Sequence, residues 1–244
     1  MRAAEDHKKP ALVPSVMMLQ PSYLPDIPEP PAVSGDGDEA VGEVVSKMDR
    51  RAWLEVLDRR HRYAKNLRAY HQAWVQLGMP GRDFWRWLDE GEGKGEEGAR
   101  FELEHLPRSK LDRENVRYLT PQEAADYAVV IDKRDGTVRH AAGTRHPRSG
   151  APLETGPGGF IFVLRRGRLF AAEKVTKAAP RFHHSSFFCG RPVAVAGMLI
   201  VRRGVLTRVL PHSGHYRPRD EHIVHLLRFL GASRIDLASL EVSE

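Results

Sequence analysis

Phe160-Ile-Phe-Val-Leu-Arg-Arg-Gly-Arg-Leu-Phe-Ala-Ala172 is the stretch that decides the fold. Two short apolar runs, 160–164 and 169–172, flank Arg-Arg-Gly-Arg, and this pattern is typical of a β-hairpin. The same arrangement occurs twice more in the second half of the chain. Tyr127–Asp132 and Thr137–Ala141 flank Lys-Arg-Asp-Gly, and Val193–Val201 and Val205–Leu210 flank Arg-Arg-Gly. Three hairpins predict a mainly antiparallel sheet.

Helical patterns lie on both sides of these hairpins. Apolar residues recur at helical spacing from Val44 to Leu77, and a slip in their phase predicts a break near Asp58–Tyr63. Phe84–Leu88 is predicted to form a short helix, and Thr120-Pro-Gln-Glu123 has the residues of a helix start with a capping box. A last helix is expected over Asp220–Leu230, stopped by Gly231. The predicted fold class is α+β, with an N-terminal helical region and a C-terminal helix.

Composition divides the 244 residues into a tail and one folded domain. Residues 1–43 are rich in proline and contain the glycine-acid run Ser34-Gly-Asp-Gly-Asp-Glu39, so we expect a disordered tail ahead of an α+β domain over 44–244. No apolar run is long enough to span a bilayer, and the first ten residues lack the apolar core of a secretory signal. Cys189 is the single cysteine, which fits a reducing compartment, and we therefore expect a cytoplasmic or nuclear protein.

The net charge of +6 conceals a strong asymmetry. Between Lys133 and Arg219 there are 17 lysines and arginines against 3 acidic residues, a balance of +14, so the rest of the chain carries −8. Such a basic region attracts anions, among them phosphorylated small molecules, nucleic acid and acidic proteins. The same charges also serve solubility alone when they form a solvated face.

Two polar clusters flank the third hairpin. Phe182-His-His-Ser-Ser-Phe187 precedes it, and Ser213-Gly-His-Tyr-Arg-Pro218 follows it. Because a hairpin returns its two ends to the same edge of the sheet, we expect these clusters to lie side by side and to form a polar pocket. The predicted ligand-binding residues are His184, Ser186, His215, Tyr216 and Arg217, and the candidate catalytic residues are His184, Ser185, Ser186, His215 and Tyr216.

Several chemistries compete for these clusters. A serine nucleophile needs a histidine base and an orienting carboxylate, and no acidic residue is near before Asp220. His212 and His215 could bind zinc only weakly, without a cysteine pair, so no metal and no cofactor are predicted. A nucleotide pocket of the kind used in ADP-ribosyl transfer would place hydroxyls and imidazoles on a ribose, Tyr216 on a ring and Arg217 on phosphate. Alternatively, the serines cap turns while His184 and His215 are satisfied core histidines.

Seven segments, in order and with similar spacing, resemble the plant and fungal IQ-motif-containing (IQM) calmodulin-binding proteins. The resemblance covers about Lys47 to Val242. The segments are Asp58-Arg-Arg-His-Arg-Tyr-Ala-Lys-Asn-Leu67, Phe84-Trp-Arg-Trp-Leu-Asp-Glu-Gly91, Pro107-Arg-Ser-Lys-Leu111, Arg117-Tyr-Leu-Thr-Pro-Gln-Glu123, Phe182-His-His-Ser-Ser-Phe187, Ala196-Gly197 and Ser213-Gly-His-Tyr-Arg-Pro218.

The resemblance implies a regulatory protein that binds calmodulin and acts in calcium signalling. In that family calmodulin binding is attributed to an IQ motif upstream of the shared domain, and residues 1–46 contain no Ile-Gln pair. A basic helical stretch with an apolar face is the alternative kind of calmodulin target, and Val44 to Trp74 fits it, with Trp53, Leu57, Arg59 and Arg60 as candidate partner-binding residues. The competing interpretation is that this helix belongs to the core. Non-specific nucleic-acid binding is a weaker alternative, because no aromatic-interleaved recognition motif accompanies the basic region.

Overall fold

The computed structural model describes residues 44–94 and 101–243, and the predicted tail over 1–43 lies outside them. Within these residues the chain forms six α-helices, three short 3₁₀ turns and seven strands. The helices are α1 Trp53–Leu57, α2 Ala64–Gln76, α3 Phe84–Glu90, α4 Arg108–Arg113, α5 Pro121–Ala125 and α6 Asp220–Ala232. The strands are β1 Ala128–Ile131, β2 Val138–His140, β3 Phe160–Arg165, β4 Arg168–Ala172, β5 Val195–Arg202, β6 Val205–Leu210 and β7 Glu241–Val242. The α+β class is as predicted.

The seven strands form one sheet in the order β2-β1-β4-β3-β5-β6-β7. All neighbouring pairs are antiparallel except β6 and β7. The three predicted hairpins are confirmed as β1–β2, β3–β4 and β5–β6, and the predicted turns connect them. The short β7 at the edge was not predicted, because two exposed residues carry no alternating pattern.

The sheet packs apolar side chains on both faces. On one face, Phe162, Leu164 and Leu199 form a core with Leu226 and Leu230 of α6. The other face is covered by the N-terminal segment, α5 and the turn before β5, which bring Met48, Ala124 and Phe187 onto the sheet. A third cluster is built of aromatic residues between α2, α3 and α4, among them Tyr70, Trp74 and Trp87.

The predicted break in the first helical region is confirmed. Helix α1 ends at Leu57 and α2 begins at Ala64, and the connection holds Arg62 with no exposed surface. Arg62 donates to both carboxylate oxygens of Asp58 and of Asp89, at distances of 2.6 to 2.9 Å. This charged network holds the connection between α1 and α2 in place.

Three further details of the helices bear on the predictions. The capping box at Thr120 is present, with Glu123 bonded to the backbone of Thr120. The predicted end of α6 is wrong, because the helix continues through Gly231 to Ala232, and the residue with positive φ after it is Arg234. A Cβ at Gly231 would lie 3.2 Å from the side chain of Leu237, so Leu237 packs closely against this end of the helix.

None of the helices in the described ranges has the length and apolar character that crossing a bilayer requires.

Candidate anion-binding pocket

The β5–β6 hairpin brings the two polar clusters together as predicted. The Ser213 hydroxyl lies 3.1 Å from Nδ1 of His184, across 29 residues of sequence. The second ring nitrogen of His184, Nε2, is 2.8 Å from the carbonyl oxygen of Gly197 in β5. Since a carbonyl only accepts, Nε2 carries the proton, and Nδ1 accepts from Ser213. The pair joins both loops to the sheet.

The Ser213–His184–Gly197 contacts depend on a close backbone approach at Gly197. A Cβ at this position would lie 2.4 Å from the carbonyl oxygen of Leu210 and 3.0 Å from the Cα of Pro211. Only glycine fits between the two strands here, and it allows the loop after β6 to pass close to β5. The Ala196-Gly197 pair therefore has a structural role.

His184, Ser185, Ser186 and Tyr216 are sealed inside the protein, with at most 4% of their surface exposed. Burial lowers the pKa of His184 to about 3, so the imidazole is neutral. Ser186 accepts the backbone N–H of His183, and the hydroxyl of Tyr216 donates to the carbonyl of Arg191. Each of these polar groups has an internal partner. Their arrangement corresponds to turn caps and satisfied core residues.

The carboxylate that the sequence did not reveal is Glu55 in α1. It has no exposed surface, and its Oε1 accepts from the hydroxyls of Ser185, at 3.0 Å, and Tyr118, at 2.9 Å. Burial by itself raises the pKa of Glu55. The interactions with His215, Tyr118 and the backbone N–H of Ala64 lower this pKa by a larger amount, so the net shift is downward. An ionised carboxylate therefore lies beneath the two clusters. A lone acid inside the apolar run Trp53-Leu-Glu-Val-Leu57 was its only sequence signal.

Ser185 is not arranged as a nucleophile. Its hydroxyl donates directly to Glu55, and no histidine accepts its proton. Ser213 does donate to His184, but that imidazole is held by a backbone carbonyl, and both side chains are buried. Neither Ser185 nor Ser213 is therefore an exposed serine with a free histidine base.

Three rings form one wall of a cleft beside these loops. His183 lies between Tyr63, with ring centroids 5.6 Å apart and nearly parallel, and His215, with centroids 5.4 Å apart. His183 is 5% exposed, and its Nε2 has no hydrogen-bond partner among the described residues. Burial, and to a smaller extent His215, lowers the pKa of His183 to about 4. His215 Nε2 lies 3.9 Å from Oε1 of Glu55 behind the wall.

The cleft has a volume of about 410 Å³ and a strongly basic lining. Arg51 and Arg217 are paired with Asp49, the single carboxylate of the lining, and Arg181 is paired with Glu114 outside it. The remaining three cations form no ion pair within the ranges that the structure describes. The six cationic lining residues are Arg51, Lys65, Arg68, Lys174, Arg181 and Arg217.

Arg68 is the most informative of the three unpaired cations. It is half-buried in α2, and burial followed by the charge of Arg51 lowers the pKa of its guanidinium. Arginine stays charged in proteins even so. An anion in the cleft would stabilise a partly desolvated guanidinium that is repelled by a second one.

The predicted site residues thus separate into two groups. His215 and Arg217 line the cleft directly, and His184 contributes to its floor. Tyr216 is 2% exposed and packs in the core on the same side of the sheet, so no ring face is free for stacking, and Ser186 is fully buried. Sequence reasoning missed Arg51, Tyr63 and Arg68, because these lie more than 100 residues before the first histidine cluster. It also missed Lys174, which lies eight residues before that cluster but outside its histidine and serine pattern. No group of three or more metal-ligating side chains occurs in the described part of the molecule.

The candidate partner-binding residues lie on and just after α1. Trp53 is half-buried and packs between the sheet-face core and the aromatic cluster, and Leu57 packs against the aromatic cluster. Arg59 is exposed, and Arg60 lies 3.3 Å from a carboxylate oxygen of Asp112. The apolar face of this segment is therefore part of the core of the protein.

The fold and the site together define an α+β domain with a basic cleft beside the loops of its central hairpin. Residues 125–223 match the family model described as the IQ motif-containing protein middle domain. The chain belongs to the IQM family through this shared region.

Three relatives from Arabidopsis thaliana illustrate the similarity. The chain is 35% identical to IQ domain-containing protein IQM2 over 197 residues, 36% identical to IQM3 over 210 and 34% identical to IQM4 over 199. These alignments include 81%, 83% and 82% of this chain, but only 31%, 42% and 35% of the relatives. The chain therefore spans less than half the length of these relatives. No solved structure matches it.

Proposed function

We propose that this chain is a regulatory domain of the IQM type whose basic cleft binds a phosphate-bearing small molecule. The observation that carries the proposal is Arg68, a half-buried cation without an ion-pair partner in the described residues and next to Arg51. An anionic ligand in the cleft would stabilise a partly desolvated cation that lies near a second cation.

The composition of the cleft supports an anion over a cation or a neutral molecule. Six positive side chains converge on it from α2, from the segment before α1 and from the loops around β4 and β6, against one carboxylate. That carboxylate, Asp49, is already held by Arg51 and Arg217, which aligns their guanidinium groups at the rim. Guanidinium groups bind phosphate oxygens in pairs of parallel hydrogen bonds, and a cleft of this volume accepts a small ligand.

Replacement of Arg68 by glutamine tests this proposal. We expect pyrophosphate to bind the unaltered protein with an affinity that falls as salt rises, and the Arg68→Gln variant to bind it about tenfold or more weakly. Isothermal titration calorimetry at low ionic strength measures both. The matched control is Arg228→Gln, an exposed arginine of α6 on the other face of the sheet, which should leave the affinity unchanged. If the Arg68→Gln variant and the unaltered protein bind pyrophosphate with equal affinity, the cleft is not the phosphate-binding site.

Calmodulin is the second candidate partner, and the basic region favours it. The family resemblance implies calmodulin, and the balance of +14 between Lys133 and Arg219 suits an acidic protein. Because Leu54 and Glu55 are buried and Trp53 and Leu57 pack into the core, calmodulin wrapping around α1 would require local unfolding. We therefore expect calmodulin to contact the exposed residues just after α1, where Arg59 lies, without unfolding α1.

A charge reversal separates these two modes of calmodulin binding. Arg59→Glu should weaken the complex several-fold in fluorescence titrations with labelled calmodulin, with and without calcium, and Arg228→Glu should not. Docking of this kind should not expose the core, so the near-ultraviolet signal of the tryptophans should persist in the complex. Loss of that signal on binding, with no effect of Arg59→Glu, would instead favour extraction of α1. If labelled calmodulin does not bind with or without calcium, the proposal that this chain binds calmodulin is wrong.

A further inference from the structure

The ring wall of the cleft differs chemically from its cationic rim. His183 presents a nearly buried imidazole whose Nε2 has no partner in the described residues, although the great majority of buried polar groups are paired. His183 contributes to the lining of the same cleft as Arg68 and Lys174. The molecule thus places an unpaired hydrogen-bonding atom and unpaired cations in one cavity.

His183 offers a hydrogen bond without a charge of its own. The ionised carboxylate of Glu55 lies behind His215, 3.9 Å from its Nε2, and the imidazole of His183 is itself neutral. The charge of Glu55 disfavours a phosphate at this position, the charges of Lys174 and Arg181 favour one, and the neutral imidazole adds no charge. The cationic rim is therefore the stronger position for the phosphate. A hydroxyl is suited to this position, because it can donate to or accept from a neutral imidazole in either tautomer.

We propose that the natural ligand is a phosphorylated polyol, with its phosphate at Arg68 and Arg51 and a hydroxyl on Nε2 of His183. This inference rests on the proposed phosphate-binding function and extends it to the part of the ligand that gives specificity. The cleft volume of about 410 Å³ suits a molecule of this size. Two sources share this chemistry, ribose phosphates and inositol phosphates, and the experiment distinguishes them.

The test compares ligands that differ by their hydroxyl groups. Ribose 5-phosphate, inositol 1-phosphate and inorganic phosphate are titrated against the full chain by calorimetry. We expect at least one of the two polyol phosphates to bind about tenfold more tightly than inorganic phosphate, which corresponds to about 1.4 kcal/mol and lies within the range for one added hydrogen bond. The tighter of the two identifies the source.

A matched pair of variants assigns this advantage to one atom. Glutamine at position 183 can place a polar atom near the position of Nε2, whereas asparagine reaches only as far as Nδ1. His183→Gln should therefore keep most of the tenfold advantage, and His183→Asn should lose it while inorganic phosphate still binds. Melting temperatures confirm that both variants are folded. If His183→Asn does not fold, the ratio of the affinities of the unaltered protein decides alone.

The failures of the two proposals are distinguishable. Inorganic phosphate and both polyol phosphates binding with equal affinity would overturn the polyol inference and leave the phosphate site standing. An advantage that persists in the His183→Asn variant would overturn the role of Nε2. No binding of any of the three ligands would end both proposals.

Discussion

Replacing Arg62 with methionine is expected to lower the free energy of unfolding by about 3–5 kcal/mol, the range for removing one partner of a buried ion pair. Arg62 has no exposed surface and donates to Asp58 and Asp89, with Asp112 a further 3.3 Å contact. Burial alone lowers the pKa of Arg62, but the two carboxylates raise it above its ordinary value, so the group is charged.

Most of the destabilisation expected for Arg62→Met comes from Asp58, which loses its charged partner. Asp89 and Asp112 keep a second partner in Arg108, at 2.6 and 2.9 Å. Asp58, with a side chain that is 2% exposed, keeps only backbone donors. Urea denaturation of the variant measures the loss. Arg60→Met is the control, because Arg60 is 58% exposed in its side chain and its removal should change stability by less than about 1 kcal/mol. An Arg62→Met variant within 1 kcal/mol of the unaltered protein would contradict the network described here.

Stability is expected to fall by about 4 kcal/mol between pH 7 and pH 5 because of His183 and His184. Burial lowers their pKa values from 6.5 to about 4 and about 3. Below pH 6.5 the unfolded chain binds protons at these residues and the folded chain does not. Stability therefore falls as the pH is lowered, until the pH reaches the pKa values of the folded state. Each group contributes about 2 kcal/mol over this interval, at 1.36 kcal/mol per pH unit below 6.5.

His140 acts in the same direction over this interval, and Glu55 does so at lower pH. His140, also buried, has its pKa lowered to about 4. The pKa of Glu55 is lowered, so its stabilisation is present above its ordinary pKa of 4.5 and is lost as the pH falls through its folded value. Denaturant titrations at pH 7, 6 and 5 measure the slope. His212→Gln, at an exposed histidine, should keep the slope of the unaltered protein. A stability that is flat from pH 7 to pH 5 would contradict this account, because it would mean that these imidazoles take up protons as readily in the folded state as in the unfolded state.

The hairpins could be predicted because their signals are local. Turn residues and the apolar runs on either side fix β1–β2, β3–β4 and β5–β6 within about fifteen residues each. The order of the strands could not be predicted in the same way. β4 lies between β1 and β3, and this placement depends on packing between residues that are distant in sequence.

The candidate site was predicted in part for the same reason. The two histidine clusters flank one hairpin, so their proximity follows from its geometry. Glu55 reaches Ser185 across 130 residues, and Arg68 meets Lys174 and Arg217 only because α2 packs beside these loops. Such meetings leave no periodic trace in the sequence. The prediction of His184 and Tyr216 as ligand contacts had a related difficulty, because pattern alone does not separate a buried hydrogen-bonded side chain from one that faces a cleft.

Helix α4 was missed because it offers one apolar residue, Leu111, and too few turns to show a period. What holds it is ionic, since Arg108 pairs with Asp112 within the helix and with Asp89 outside it. Secondary structure that depends on charged contacts between distant segments is not visible to hydrophobic periodicity.

The most direct test of the cleft is a crystal of the protein soaked in tungstate, a phosphate analogue that scatters X-rays anomalously. The structure predicts an anomalous peak in the cleft, within hydrogen-bonding distance of Arg68 and Arg51, that disappears in the Arg68→Gln variant. A peak at another basic surface instead, such as the groove lined by Arg165, Arg168 and Arg191, with the cleft vacant, would contradict it.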